Sequence, residues 1–256
     1  MKGFWAVYRK ELYAYFASPI FYVVACAFLT LAGYFFYSAL AYYNLISFQA
    51  VQTPYLNDQL NLTDMVIRPI FLDLSIVLLL LAPLLTMRTY AEERRSGTVE
   101  LLFTYPLSDR ATLLAKFFAV ITVFLVMTGG LLPDFLLLEW LTDPNWKVIM
   151  SSFLGLLLLA GAFFSLGMFT SSLTRNQIVA AVISFALLLL LWVIGWLSPT
   201  LGASGAVLLD YLSVTKHFDN FAKGVLDSRD ILYYLEFIAL FLFVTLRRME
   251  SYRWRG

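Results

Sequence analysis

Six apolar windows, at residues 20–43, 70–87, 113–138, 148–173, 178–197 and 231–246, leave this chain few ways to fold. Crossing about 30 Å of hydrocarbon at about 1.5 Å of rise per residue takes roughly 20 apolar residues, and in lipid the backbone polar groups must be satisfied internally. The windows predict an all-α membrane protein with six transmembrane helices. Composition agrees, since only 14% of the residues are charged against roughly 25% in a soluble domain. In 256 residues six spans leave little for a separate soluble unit, so the chain reads as a single membrane domain over 1–256. The last window is short, but Tyr233, Tyr234, Arg247 and Arg248 flank it as interfacial anchors.

Orientation follows from the cations. With the N-terminus inside, Lys2, Arg9, Lys10, Arg88, Arg94, Arg95, Arg110, Lys116, Arg175, Arg247, Arg248, Arg253 and Arg255 are cytoplasmic. Only Arg68, Lys147, Lys216, Lys223 and Arg229 fall outside, a split of 13 against 5. The positive-inside rule then predicts both termini in the cytoplasm, and the cytoplasmic (inner) membrane of a bacterium is the expected location.

Ahead of the first span, over residues 1–18, Trp5, Tyr8, Leu12 and Phe16 recur at helical spacing with Lys10 opposite. That pattern suits an amphipathic helix in the cytoplasmic interface, and Pro19 favours a break after it. The lone Cys26 lies inside the first window, which runs on past it, so this segment is expected to stay as a membrane anchor. Residues 44–69 form a polar outer loop and 199–230 a mixed outer segment. In the latter, Leu209, Leu212, Phe218, Phe221 and Val225 are spaced as on short amphipathic helices.

Several chemistries find no support. No glycine-rich phosphate loop ends in Lys-Ser or Lys-Thr, so ATP hydrolysis is not expected of this chain. One His and one Cys cannot build a conventional zinc site. A non-catalytic chain without its own cofactor is the expectation, and the net charge of +1 gives no reason to expect nucleic acid. Four acids remain, Asp73, Asp134, Glu139 and Glu236, all toward the outer ends of their predicted helices. They are either solvated at the interface or the polar lining of an outward vestibule. Gly155, Gly161, Ser165 and Gly167 in the fourth window, with Gly129 and Gly130 in the third, permit close helix approach.

Between the second and third windows lies a charged island. It reads Met87-Arg88-x-x-Ala91-Glu92-Glu93-Arg94-Arg95-x-Gly97-Thr98-x-Glu100-Leu101-Leu102-x-x-x-Pro106-x-Ser108, followed by Lys116. An oily chain keeps such a segment where water or a soluble partner touches it. The run resembles the loop between the second and third helices of ABC-2-type exporter permeases, and is especially similar to their gliding-motility-type branch. A second stretch, Leu212-Ser213 with His217-Phe218-x-x-Phe221-x-x-Gly224-Val225-x-Asp227-x-x-Asp230-x-x-Tyr233, resembles the outer segment before that branch's last helix.

The resemblance implies a type V exporter-like fold with a coupling helix in the loop 88–112 that docks into a cytoplasmic ABC ATPase. It also implies a second permease subunit, in a homodimer or a heterodimer with a homologous or large outer-domain subunit. ATP and Mg2+ would be bound by the ATPase. Arg88, Glu92, Glu93, Arg94, Arg95, Gly97, Thr98, Glu100 and Pro106 are the coupling candidates: the three glutamates carry docking, and Gly97 and Pro106 shape the element. His217, Phe218, Phe221, Gly224, Asp227, Asp230 and Tyr233 mark the outer segment that caps the path, and the second and fifth spans are expected to line it. Two other readings stand beside this one. An ion-coupled secondary transporter would use Asp73, Asp134 or Glu236 as proton carriers, and a structural subunit would anchor a motility or envelope complex.

Overall fold

In the computed structural model, which describes residues 2–52, 61–97, 108–197, 209 and 211–253, the described residues form ten α-helices and no strand. They are α1 (Lys2–Ala17), α2 (Pro19–Gln52), α3 (Arg68–Thr86), α4 (Arg88–Arg95), α5 (Asp109–Gly129), α6 (Leu132–Leu141), α7 (Trp146–Leu173), α8 (Gln177–Leu197), α9 (Val214–Ala222) and α10 (Ser228–Arg253). A π-helical turn, Thr63–Ile67, leads into α3.

Small residues decide which helix sits at the centre. On α7, Gly155 lies against Phe221 of α9, Gly161 against Ile238 of α10 and Gly167 against Thr86 of α3. A Cβ at Gly161 would stand 2.9 Å from Ile238 Cδ1. At Gly155 and Gly167 the neighbour's Cβ itself stands too close for a side chain, whereas at Gly161 only the tip of Ile238 would have to yield. Accordingly 72% of the most apolar stretch of α7 is buried, against 22% for α2 and for α8, which lie at the periphery. Aromatic rings fill the space around the centre: Phe71 of α3, Phe135 of α6 and Phe153 of α7 pack with centroids 5.0 to 5.5 Å apart.

Among the described residues, five helices are long and apolar enough to cross a membrane: Pro19–Val51, Thr63–Arg95, Asp109–Leu141, Trp146–Leu173 and Gln177–Gly195. Six spans were expected. The sixth window does become a helix, the 26-residue α10, but Asp230, Glu236, Arg247 and Arg248 within it take it below the apolarity of the other five.

The third window is not one straight rod. Gly130 and Leu131 interrupt it, and Pro133 opens α6 in its first turn, where a missing N–H costs no helical bond. The first window overshoots, since α2 runs for 34 residues, about 50 Å. It takes in residues 44–52 of the expected outer loop.

Ser18 separates α1 from α2, with Pro19 as the first residue of the second helix. The apolar face of α1 turns largely onto α5, where Tyr8 Oη is 2.8 Å from Thr122 Oγ1 and the Phe4 ring meets Phe118 edge-on. Trp5 remains 57% exposed on its outer side.

Candidate functional site

The charged island begins as an extension of the second span. Only Met87 separates α3 from α4, and the junction is capped from α7. Ser171 Oγ accepts from the backbone N–H groups of Tyr90 and Ala91, each at 3.1 Å, and donates to the Met87 carbonyl at 2.9 Å. Those are the amides that a new helix start leaves unpaired. Arg94 donates to the Ser172 carbonyl at the end of α7, where a cation also meets the negative end of the helix dipole. Helix α4 stops at Ser96, whose hydroxyl donates back to the Glu92 carbonyl at 2.9 Å, and at Gly97, whose φ of 71° is the left-handed conformation that glycine adopts freely.

Behind α4 lies a buried ionic cluster. Lys116 of α5 is 1% exposed, and its ammonium donates to Glu11 Oε1 at 2.9 Å, Glu93 Oε1 at 2.8 Å and the Thr89 carbonyl at 2.8 Å. All three of its protons are used. Lys10 reaches the same Glu93 oxygen at 3.1 Å, and the Tyr90 ring centroid lies 5.1 Å from the Lys116 nitrogen. One contact set therefore ties α1, α4 and α5 together. Beside it, Tyr15 Oη donates to the Leu85 carbonyl at 2.8 Å. Burial, and then the charge of Glu11, push this phenol well above its ordinary range, so it keeps its proton.

The candidate coupling residues thus divide. Glu92, Arg95 and Gly97 face outward, Arg88 and Arg94 are half-buried, and Glu93 points into the cluster. Thr98, Glu100 and Pro106 lie outside the described residues.

Toward the far end of the bundle, the outer motif forms a knot around α9. His217 Nδ1 lies 2.6 Å from Asp230 Oδ1, its Nε2 is 3.0 Å from the Tyr211 carbonyl, and Asn220 donates to the other Asp230 oxygen at 2.8 Å. The Tyr233 ring stacks on His217 with centroids 4.0 Å apart, and Tyr233 and Tyr234 donate to the Leu212 and Val214 carbonyls. Phe218 and Phe221 are buried, and Gly224, at φ 82°, turns the chain against Val148. Asp227 Oδ1 accepts from the Arg229 amide at the start of α10. Arg68 at the head of α3 grips Asp219 of α9 at 2.7 Å.

A cleft of about 720 Å³ opens between α3, α8 and α9, with Leu72, Ser75, Ile76, Trp192, Gly195 and Thr215 among its walls. None of the four vestibule candidates lines it. Asp73 and Asp134 are half-buried on α3 and α6, Glu139 is exposed and accepts from the Trp146 indole at 2.6 Å, and Glu236 is exposed on α10. They do not converge.

The burial of Lys116 was missed from sequence, where it counted as a cytoplasmic charge. The signal was its register. Lys116 shares a helical face with Thr112, Ala119, Val120 and Val123, all buried. Glu11 gave no comparable sign.

No curated protein matches the chain. The family model of ABC-2 family transporter proteins, however, matches residues 5–247. With that match over nearly its whole length, and with several apolar helices able to cross a bilayer, the chain is an integral multi-pass membrane protein that belongs to the ABC-2 transporter family.

Proposed function

We propose that this chain is the permease subunit of an ATP-driven exporter of the gliding-motility-type branch, moved by a separate cytoplasmic ABC ATPase. Membrane subunits of the ABC-2 family are in general non-catalytic and partner such an ATPase. The observation that carries the reading is the two-sided character of α4. Its inner side is bonded to α1, α5 and α7, and its outer side offers Glu92, Arg95 and the Gly97 turn. A push on the outer side then reaches three helices at once, which is what linkage between nucleotide state and membrane conformation requires. Thr98, Glu100 and Pro106 are assigned to docking in this reading, and exposed charges at such a contact, as at Glu92 and Arg95, fix register and partner choice more than affinity.

The remaining parts follow. Helix α10 is the sixth span, both termini are cytoplasmic, and the membrane is the bacterial inner membrane. The substrate path runs between α3 and α8, the second and fifth spans, under the α9 cap. The thinly buried faces of α2 and α8 meet lipid and a second permease subunit. ATP and Mg2+ bind on the ATPase. An ion-coupled carrier would need a free acid on the path; Asp73, Asp134 and Glu236 stand off the α3–α8–α9 cleft, and Asp219, which does line it, is ion-paired with Arg68 and Lys223.

The test is charge reversal on the outer side alone. Glu92→Lys with Arg95→Glu is expected to abolish co-purification of the ATPase and its stimulated hydrolysis, with the melting temperature of the delipidated permease unchanged. Undiminished stimulation by the reversed protein would remove the docking assignment.

A further inference from the structure

A second cleft, of about 430 Å³, lies where α1, the first turns of α2, the end of α3 and α4 meet. Its walls differ in kind. Ile20, Val24 and Leu84 make one side, and Ile20 and Leu84 are each 42% exposed, so the apolar side opens onto the flank of two helices long enough to span a bilayer. The other side is charged. Lys10 and Lys116 are already engaged by Glu11 and Glu93, which leaves two unmatched groups, Arg88 and Glu92.

Arg88 has no carboxylate within ion-pair distance among the described residues; it donates to Ser18 Oγ at 3.1 Å, and its Nε is buried without an acceptor. A guanidinium without a carboxylate beside it calls for a counter-ion, and since the sealed Nε is out of reach, a phosphodiester would meet it end-on at the two terminal nitrogens. Glu92, exposed at the rim, has a carboxylate with no cation beside it among the described residues. It would repel a headgroup of net negative charge and receive an ammonium.

We propose that this cleft binds one phosphatidylethanolamine molecule, with its phosphate on Arg88, its ammonium toward Glu92 and an acyl chain along Ile20, Val24 and Leu84. Phosphatidylcholine fits less well, since its trimethylammonium has no N–H to donate to Glu92. Phosphatidylglycerol fits less well because it brings no cation. The binding belongs to the permease alone and does not depend on ATPase docking.

The experiment uses the purified full-length chain without ATPase, delipidated in detergent. Dioleoyl phosphatidylethanolamine, phosphatidylcholine, phosphatidylglycerol, dioleoylglycerol and soluble phosphoethanolamine are added back, and retained lipid is read by native mass spectrometry with the melting temperature alongside. One phosphatidylethanolamine per chain is expected, with a raised melting temperature. Arg88→Gln should weaken retention about tenfold or more, as loss of a hydrogen bond to a charged group implies. Glu92→Gln should erase the preference over phosphatidylglycerol while leaving binding in place. If Arg88→Gln does not fold, Leu84→Trp, which fills the apolar mouth and leaves both charges, should abolish retention. The proposal fails if folded Arg88→Gln or Leu84→Trp keeps phosphatidylethanolamine as the native chain does, if Glu92→Gln leaves the preference over phosphatidylglycerol intact, if phosphatidylglycerol displaces phosphatidylethanolamine from the native chain, if dioleoylglycerol is retained as well, or if phosphoethanolamine alone gives the same shift.

Discussion

Replacing Lys116 with Met keeps the length of the side chain and removes its charge, so it isolates what the buried cluster is worth. The substitution leaves the carboxylates of Glu11 and Glu93, each 12% exposed, facing one another across the vacated ammonium position. Stripping one partner from a buried ionic group costs about 3–5 kcal/mol. Glu93→Gln is milder, because Lys116 keeps Glu11 and the Thr89 carbonyl, and the loss of one charge-assisted bond is worth about 1.5–3 kcal/mol. Glu92→Gln alters an exposed side chain and should stay within about 0.5 kcal/mol. For a chain of this size each kcal/mol moves the melting temperature by about 2–4 °C. Thermal unfolding of the purified chain should therefore rank the three at falls of roughly 10 °C, roughly 5 °C and under about 2 °C. In the double variant, Glu93→Gln removes one of the two facing carboxylates, so it should cost less than the sum of the singles by about 1–3 kcal/mol. Simple additivity, or a Glu92→Gln effect equal to that of Glu93→Gln, would refute the cluster's role.

Two further outcomes concern the α9 end. Gly155→Ala drives a methyl into the Cβ and ring of Phe221, which is not the loose end of a side chain, and should cost about 1–3 kcal/mol with faster amide exchange over 214–222; Gly33→Ala, with nothing within 4 Å, is the control and should not destabilise. Asp230→Asn has one oxygen for the two donors of His217 and Asn220 and should loosen the knot by about 1.5–3 kcal/mol, read as exchange across 211–222; protection equal to that of the native chain would mean that the knot is held elsewhere.

Much of this architecture was readable because lipid permits so little. A segment that must satisfy its own backbone in hydrocarbon announces itself by length and apolarity, and each of the six windows corresponds to helix. Where each window stops was less legible. Gly129, Gly130 and Pro133 stood in the third window, where the two glycines read only as packing residues; the structure ends one helix there and starts another. The glycines of α7 were readable as close contacts, but not that each serves a different neighbour, because periodicity along one helix carries no information about what surrounds it. Charges misled in the same way. Glu92 and Glu93 are adjacent in sequence and look alike, yet a turn of about 100° per residue puts one outside and the other against Lys116.

Helices α3 and α4 carry a mechanical implication. Arg68 at one end of this pair grips Asp219 of α9, and Arg94 at the other is bonded to the end of α7, a distance of roughly 40 Å at 1.5 Å per residue. Over that length the near-continuous rod holds one internal proline, Pro83, which cannot donate to the preceding turn and marks where flexure comes most easily. Ahead of Pro83 the rod is stiff, so a tilt transmitted past Pro83 would carry the α9 end along rather than dissipate as local bending.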